Sequence, residues 1–377
     1  MQVGKASRWG IHIVFACAGA LVLSPTASAA AVGGLPPRYQ LADLRALEQA
    51  FTNLAAEVQP SAVSIRTYRT PQSTGRRILL PLSHGSGFVI DPDGYIATNR
   101  HVLEEADRIA VILHNGMRYD ATVQQTDMRS DLAVIKIDAS QLKPVRFETK
   151  APKVGQWVFA CGNPFGLANE DGHASVTFGS ISALGRRMTE RLAVDGDLQY
   201  YGNMIEASAT INPGNSGGGL FNIDGEVIGI VTAIETSSGV SEGHGFAIPI
   251  DKNIRRILET LKRGEEVRYG FLGVKVQDPP PVKSAMVVDS RSVRGALVDD
   301  VTLPDGPAAR AGLRSRDVVI EYDGTAIKDS DHLVRLVGFT PVGTSVSITY
   351  LRHGVKRTTT VTVADRRTSL PLTRRTP

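Results

Sequence analysis

Short apolar strands separated by turn residues, with no regular helix between them, dominate the chain from residue 61 to about residue 250. The runs Phe88–Ile90 and Tyr95–Thr98 flank the turn Asp91–Gly94, which is typical of a β-hairpin. Leu132–Ile137 is an apolar run of the kind that forms a buried strand. Because no helices alternate with these strands, a parallel α/β sheet is disfavoured. Many short strands over roughly 200 residues predict β-barrels or a β-sandwich.

Two segments with helical periodicity frame this β-rich region. Residues 41–58 carry apolar side chains at steps of three and four and precede Pro60, which predicts an amphipathic helix. We expect this helix to pack on the next domain, and contact between copies of the chain is the alternative. A second helix is predicted from the N-cap Asp251 to Lys262. The first unit of the chain therefore spans residues 40–262.

A second β-rich unit is predicted at residues 269–366, after a polar linker at residues 263–268. It contains a short helix that starts at Pro307 and a longer helix near residues 330–338. The basic tail, residues 367–377, is expected to be loose. Apolar residues make up 42% of the chain and charged residues 21%, which excludes wholesale disorder and allows two sizeable cores.

The N-terminus has the layout of a secretory signal peptide. Lys5 and Arg8 precede the apolar run Ile11–Leu23, and Ala27-Ser28-Ala29 forms a small-residue exit. We therefore predict a signal peptide at residues 1–29 and export from the cytoplasm. The apolar run is about 13 residues, short for a membrane span of about 20 residues. An uncleaved inner-membrane anchor is the alternative, and contact with a membrane is expected only in that case.

Charge and cysteine content exclude several function classes. Without residues 1–29 the chain has 40 basic against 38 acidic residues and no dense basic stripe, so no nucleic-acid partner is expected. Only Cys161 remains after removal of that segment, so an internal disulfide is not expected. The chain has no Cys/His spacing typical of a metal site. We expect neither a metal nor a cofactor.

The stretch Gly214-Asn215-Ser216-Gly217-Gly218 is the most informative for chemistry. It matches G-x-S-x-G, which occurs in α/β-hydrolases and in chymotrypsin-like proteases. In an α/β-hydrolase a helix follows the Ser and a His comes later, but here glycines follow Ser216 and the downstream histidines lack supporting context. An esterase is therefore disfavoured. The chymotrypsin-like order of His, Asp and Ser is available as His101, Asp131 and Ser216.

These three residue types suit nucleophilic catalysis. A Ser hydroxyl is a poor nucleophile at neutral pH and needs an imidazole, here His101, to take its proton. A carboxylate, here Asp131, holds the imidazole tautomer and stabilises the imidazolium. The tetrahedral intermediate needs converging N–H donors. We predict an oxyanion hole in the loop Gly214-Asn215-Ser216, with the N–H groups of Gly214 and Ser216 as donors.

At these residues the chain resembles the HtrA (Deg) family of trypsin-like serine proteases, of the DegP and DegS type. The resemblance implies a mainly β fold, a chymotrypsin-like double six-stranded β-barrel followed by an α+β PDZ domain. It also implies that His101 is the general base, Asp131 the orienting acid and Ser216 the nucleophile. The stretches that carry it are Gly85–Ile90, Thr98–Val102, Asp131–Val134, Gly162–Gly166, Ile211–Gly218 and Gly245–Ile250.

The second unit shares this resemblance. Tyr269-Gly270-Phe271-Leu272-Gly273-Val274 is similar to the carboxylate-binding loop and following strand of a PDZ domain. Such domains add a peptide strand to a sheet edge and hold its C-terminal carboxylate in backbone N–H groups. Residues 331–337 are expected to form the helical wall of the groove. One PDZ domain fits the length.

Two positions depart from the family pattern. The family usually has an acid three residues before the Ile-Asn pair, where this chain has Ser208, and Glu206 is a candidate substitute. The residue after Gly218 is usually Pro or Ala, and here it is Gly219. These departures leave open how the protease is switched on.

The resemblance implies a periplasmic endopeptidase that degrades unfolded or misfolded envelope proteins and is regulated by C-terminal peptides at the PDZ groove. It also implies a trimer or a larger cage, and the short segment Arg66–His84 favours a simple homotrimer. Because Thr210 is uncharged, we expect cleavage after small aliphatic residues rather than Arg or Lys. Arg186 is expected to relay PDZ occupancy. The alternative is a catalytically silent chaperone on the same fold. The expected specificity pocket consists of Thr210, Ile211, Val231, Thr232 and Ala233.

Overall fold

A computed structural model gives the fold of residues 41–70, 79–187, 193–194, 197–198, 202–232, 245–280 and 294–366. The signal peptide predicted at residues 1–29, the tail predicted at residues 367–377, and Ala233 lie outside these residues. The described residues from Ala50 onward form one compact unit. The helices of the described residues are α1 (Leu41–Val58), α2 (Lys252–Lys262), α3 (Pro307–Arg310) and α4 (Ser330–Phe339).

The first six strands close into an antiparallel barrel in the order β1-β2-β3-β6-β5-β4. Its interior is filled by fully buried aliphatic side chains such as Ile65, Ile96 and Ile135. The predicted hairpin and the predicted strand Leu132–Ile137 are both present. The strands are β1 (Ala62–Arg69), β2 (Leu80–Asp91), β3 (Tyr95–Asn99), β4 (Arg108–Leu113), β5 (Arg118–Asp127) and β6 (Leu132–Ile137).

A second barrel follows, with strand order β13-β8-β9-β12-β15-β14, and pairing of β13 with β14 closes it. Strand β7 adds to β14 at the side of this ring in parallel. A separate pair, β10 and β11, lies outside the barrel. The strands are β7 (Arg146–Phe147), β8 (Trp157–Gly162), β9 (Ser175–Arg186), β10 (Ala193–Val194), β11 (Asp197–Leu198), β12 (Met204–Ala207), β13 (Gly219–Phe221), β14 (Glu226–Thr232) and β15 (Gly245–Pro249).

Helix α2 packs on the barrels as its sequence pattern predicts. The Asp251 carboxylate accepts hydrogen bonds from the N–H groups of Asn253 and Ile254, which satisfies two donors at the helix start. Its apolar face, which includes Ile257 and Leu261, is fully buried in the core that the two barrels share. Burial of this stripe explains why an otherwise strongly charged helix forms here.

The helix predicted at residues 41–58 is α1, and its C-terminal half packs as expected. Leu54 and Val58 are buried in the shared core. The Phe51 ring lies 4.6 Å from the Phe178 ring and 5.2 Å from the Phe159 ring, in an aromatic cluster on the second barrel. Aromatic side chains contribute much of the buried apolar area at such a junction.

The C-terminal unit is a small sheet with α4 against it, as in a PDZ domain. The sheet order is β17-β18-β19-β21-β22, so β17 lies at an edge, while β16 pairs with β23. Leu333 and Val337 of α4 are buried in this unit's own core. The strands are β16 (Gly270–Phe271), β17 (Val274–Gln277), β18 (Ala296–Val301), β19 (Val318–Tyr322), β20 (Thr325–Ala326), β21 (Ser345–Arg352), β22 (Val355–Thr362) and β23 (Ala364–Asp365).

The mainly β fold predicted from the sequence, two six-stranded barrels followed by a PDZ unit, is therefore confirmed. Among the helices that the structure describes, none has the length and apolarity needed to span a membrane.

Candidate active site

Two paired strand ends bring His101 and Asp131 together. Asn99 at the end of β3 pairs with Leu132 at the start of β6, so the residues just beyond each strand meet. The distance from His101 Nδ1 to Asp131 Oδ2 is 2.6 Å, and the His101 N–H donates to Asp131 Oδ1 at 3.0 Å. The Asp131 side chain is fully buried, whereas that of His101 is 29% exposed. The imidazole therefore has one nitrogen fixed by a buried carboxylate and one edge turned toward the surface.

The backbone of Asp131 is held in a strained conformation. Its φ of 55° lies in the left-handed region, which a non-glycine residue seldom adopts. The Arg100 N–H donates to the Asp131 carbonyl at 2.9 Å, and Asn99 Nδ2 donates to it at 3.0 Å. Strain of this kind persists where surrounding contacts over-determine it, and it is concentrated at functional sites.

The loop that carries Ser216 lies against the first barrel through Ser86. The Ser86 N–H donates to the Ser216 carbonyl at 2.8 Å, and Ser86 Oγ donates to the Gly214 carbonyl at 2.7 Å. Ser86 Oγ also accepts from the Asn163 N–H at 2.8 Å. Ser86 is fully buried, so these bonds are shielded from water. One side chain therefore connects the first barrel, the nucleophile loop and the end of β8.

Gly217 places the nucleophile loop directly beside the strand that leads to His101. Its φ is 84°, and a Cβ there would lie 2.3 Å from Thr98 Oγ1 and 3.1 Å from the Asn99 nitrogen. Only glycine allows both the conformation and this approach. Ser216 therefore lies next to the end of β3, which His101 follows by two residues.

Gly214, on the other side of Ser216, must also be glycine because of its conformation and its close contacts. Its φ is 98°, and a Cβ would lie 2.3 Å from the Asn163 carbonyl oxygen and 2.8 Å from the ring of His84. Sequence reasoning missed His84, because no local pattern links it to residue 214. Burial, followed by the charge of Arg66, lowers the pKa of His84. This shift favours the uncharged form of the ring beside Gly214.

The residues predicted to form a specificity pocket do not share one environment. Thr210 is exposed, whereas Ile211 and Val231 are buried in the core of the second barrel. Thr232 is buried, and its hydroxyl accepts a hydrogen bond from Asn99 Nδ2 at 3.3 Å. Since Asn99 also bonds the Asp131 carbonyl, Thr232 supports the acid loop. Among these four residues, Thr210 alone has an exposed side chain.

The two positions that depart from the family pattern have clear surroundings. The Ser208 hydroxyl accepts from the Ser180 N–H at 3.0 Å. Glu206 is buried and accepts from Arg186 Nε at 2.5 Å. At Gly219 a Cβ would lie 2.6 Å from the Phe221 ring, so glycine leaves room for that ring in the barrel. Arg186, predicted to act as a relay, is thus paired within the two-barrel unit.

The residues of the predicted carboxylate-binding loop have two different structural roles. Leu272 is buried in the PDZ core, and Gly273 has a φ of 80° before β17. The Tyr269 hydroxyl instead bonds Asp127 of the first barrel, and the Arg129 guanidinium lies 4.6 Å from the centre of its ring. Burial, followed by the nearby Asp127 charge, raises the pKa of Tyr269. Tyr269 therefore anchors the PDZ unit to the turn that precedes Asp131.

One cluster of acidic side chains has the composition of a cation site. Glu148, Asp224 and Glu226 place carboxylate oxygens within 4.8 Å of one another. Asn222 Nδ2 already donates to Glu148 at 2.7 Å and to Glu226 at 3.0 Å. These bonds account for the two less exposed carboxylates without an ion.

The fold and site geometry define a trypsin-like serine protease unit joined to a PDZ domain. The trypsin-like peptidase domain family matches residues 85–230, and the PDZ domain family matches residues 270–363. A probable periplasmic serine endoprotease, DegP-like, of Halomonas elongata is 40% identical over 353 residues, which cover 84% of this chain and 70% of that protein. A relative of the same name in Chlamydia pneumoniae is 42% identical, with 72% of this chain and 52% of that protein covered.

Solved structures of serine proteases also resemble this chain. The HtrA-type protease AlgW with a tripeptide is 34% identical, with a TM-score of 0.67, covering 84% of this chain and 97% of that one. The serine endoprotease from Yersinia pestis is 30% identical, with a TM-score of 0.59, covering 83% of this chain and 97% of that one. The chain belongs to the HtrA family of serine endopeptidases.

Proposed function

We propose that this chain is a periplasmic serine endopeptidase that hydrolyses unfolded envelope proteins through an acyl-enzyme at Ser216. The observation that carries the proposal is the His101–Asp131 pair, with a buried carboxylate, beside a glycine-bounded loop that presents Ser216. The relatives from Halomonas elongata and Chlamydia pneumoniae are named as periplasmic endoproteases, which supports both the reaction and the location.

The proposed reaction begins when Ser216 Oγ attacks the scissile carbonyl carbon while His101 Nε2 takes its proton. Asp131 holds the other ring nitrogen and stabilises the imidazolium that forms. The imidazolium then gives the proton to the departing amine. A water, deprotonated by the same ring, attacks the ester and releases the acid product and the free serine. Each residue returns to its starting state.

The Pro213–Gly214 peptide supports an oxyanion hole at this loop. The Pro213 carbonyl accepts from the Phe165 N–H at 2.7 Å. Because a trans peptide directs its N–H opposite to its carbonyl, the Gly214 N–H points away from Phe165. We infer that this N–H and the Ser216 N–H receive the negative oxygen of the tetrahedral intermediate.

We propose a preference for small aliphatic residues before the scissile bond, since the exposed Thr210 carries no charge to select Arg or Lys. We also propose that C-terminal peptides bind at the edge strand β17 and regulate the protease. We propose a homotrimer, which the family resemblance supports. Light scattering on the purified protein tests this, and a mass of one chain would contradict it.

Hydrolysis of casein by the purified protein tests the proposed reaction. The protein is expected to cleave casein, and Ser216→Ala is expected to abolish cleavage while retaining the same unfolding midpoint. Mass spectrometry of the products should place Val, Ala or other small aliphatic residues before most cut sites. Mainly Lys or Arg at that position would contradict the specificity proposal while leaving the reaction in place.

A catalytically silent chaperone is the second candidate. It is favoured by one observation, the hydroxyl of Ser208 where the family usually has an acid. This candidate predicts that the parent protein and its Ser216→Ala variant suppress aggregation of unfolded casein equally well. It also predicts that the parent protein releases no fragments, even with C-terminal peptides added.

A further inference from the structure

Arg187 joins the protease unit to the PDZ unit through three carboxylates. It follows the last residue of β9, and its guanidinium contacts Asp329 Oδ2 at 2.6 Å, Asp331 Oδ2 at 2.8 Å and Asp278 Oδ2 at 3.2 Å. Each of its three nitrogens bonds a different acid. The Arg187 side chain is 36% exposed, so the contact is partly screened from water. A planar guanidinium suits this arrangement better than an ammonium.

The three acids lie at one end of the PDZ groove. Asp278 directly follows the edge strand β17, and Asp329 is the N-cap of α4. The Ser330 N–H and hydroxyl both donate to Asp278 Oδ1, at 2.8 and 2.7 Å, and so tie the end of the strand to the start of the helix. The other end of β17 is its first residue, Val274, which follows Gly273 of the predicted carboxylate-binding loop.

The direction of a bound peptide follows from this layout. If its C-terminal carboxylate lies at the loop before Val274, the peptide must run antiparallel to β17. Its earlier residues then pass Gln277 and reach Asp278, one residue for each residue of the strand. The fifth residue from the peptide C-terminus therefore lies beside the three acids.

These carboxylates already hold a cation that comes from another part of the chain. Burial opposes the charge of Arg187, but hydrogen bonds and charges from Asp329, Asp331 and Asp278 together raise its pKa. Three carboxylates contact this one guanidinium, so the cluster has more acidic than basic groups. A basic side chain of a peptide has the charge that this position lacks.

We propose that Arg187 occupies the place of a basic peptide residue, and that C-terminal peptides with Lys or Arg at the fifth position from their end displace it and release the PDZ unit from β9. This inference rests on the proposed peptide-binding function of the PDZ unit and adds its ligand class. Displacement frees the residue next to Arg186, where β9 pairs with β12 and β12 leads toward the nucleophile loop. Binding of such a basic peptide and the Arg187 contact therefore oppose each other, and the linkage is reciprocal.

Matched peptide triplets test the proposal. Fluorescent decapeptides with free carboxylates share apolar residues at the last four positions and carry Lys, Ala or Glu at the fifth from the end. Fluorescence anisotropy measures their binding to the full chain with Ser216→Ala, which prevents cleavage. Within each triplet we expect Lys to bind about threefold to tenfold more tightly than Ala, the range that a few partly exposed ion pairs supply, and Glu to bind most weakly.

Variants test the Arg187 contact and the acids of the groove separately. Arg187→Gln is expected to raise the affinity for the Lys peptides about threefold to tenfold and to leave the Ala peptides unchanged. Arg263→Gln removes the same charge from an exposed pair in the linker and should change neither. Asp329→Asn with Asp331→Asn keeps a capping side chain at α4 and should abolish the preference for Lys.

Two results would overturn the inference and leave the proposed peptide-binding function in place. Equal binding of the Lys, Ala and Glu members would show that the three acids do not discriminate between peptides by charge. Unchanged binding of the Lys peptides to Arg187→Gln would show that Arg187 does not compete with the basic residue of the peptide. Binding of no peptide in any triplet would overturn the proposed peptide-binding function as well. Casein hydrolysis by the protein with Ser216 intact reports on the proposed reaction separately.

Discussion

Replacing Ser86 by Ala should weaken both the fold and the reaction. The substitution removes one buried oxygen, which donates to the Gly214 carbonyl and accepts from the Asn163 N–H. Both backbone groups then lose a partner in a site that water does not reach. Leaving a buried polar group unpaired costs about 1–3 kcal/mol, so two such groups cost about 2–6 kcal/mol. That is a large part of the roughly 5–15 kcal/mol that stabilises a domain.

Ser64 provides a matched control. It pairs directly with Ser86 across β1 and β2, and both residues are fully buried. Ser64 Oγ, however, has no hydrogen-bond partner among the residues that the structure describes. Ser64→Ala therefore removes the same atom from the same barrel without leaving partners behind, and the free energy of unfolding should stay the same or rise.

Urea unfolding and casein hydrolysis measure the two effects. Ser86→Ala should lower the free energy of unfolding by about 2–6 kcal/mol relative to Ser64→Ala. It should also lower kcat by about tenfold to a hundredfold, because the Gly214 peptide is an expected oxyanion donor and loss of one such donor costs about a hundredfold or more. If the two variants unfold alike and hydrolyse casein alike, the role assigned to the Ser86 network is wrong.

Three other predictions follow from the site and the core. Asp131→Asn should lower kcat by about 10⁴-fold through loss of the imidazole tautomer, with unchanged affinity for peptides, and a loss below tenfold would contradict the assigned role. Gly214→Ala should abolish hydrolysis. The control is Gly155→Ala, because Gly155 has a similar φ of 84° but open space around a Cβ, and this variant should lose only about 1 kcal/mol of stability. Equal effects of the two substitutions would refute the close-contact argument. Burial raises the pKa of the Cys161 thiol to about 12 from 9.0, so the neutral thiol stabilises the fold below pH 9 and this contribution is lost as the pH rises toward 12. Between pH 8 and pH 10 the free energy of unfolding should fall about 1.4 kcal/mol more in the parent protein than in Cys161→Ala, and identical slopes would contradict the shift.

Local patterns in the sequence were sufficient for the elements. The strand at Leu132–Ile137 and the helix capped by Asp251 have the predicted bounds, because an apolar run and a cap are properties of adjacent residues. The order of His101, Asp131 and Ser216 also indicated the barrel topology. Contacts between distant segments were beyond the same reasoning. Ser86 meets residues 77 and 128 positions away, and only the closed barrels bring them together.

Two assignments show how packing decides what a residue does. Arg186 was predicted to relay PDZ occupancy and pairs with Glu206 inside the protease unit, while the adjacent Arg187 reaches the PDZ acids. Successive residues of a strand point to opposite faces, and sequence alone does not say which face a neighbouring domain covers. Tyr269 was predicted in a peptide-binding loop and bonds Asp127 of the protease unit. The relay role of Arg186 stays a prediction.

Covalent labelling with a fluorophosphonate tests the central claim most directly, because this reagent reacts with a serine that an adjacent base activates. The full chain and its Ser216→Ala variant are treated side by side, and the adduct is located by peptide mass spectrometry. The account predicts one adduct, on Ser216, that is absent from Ser216→Ala and slowed in Asp131→Asn. An adduct on another serine, or none in the presence of C-terminal peptides, would contradict the assignment of Ser216 as the nucleophile.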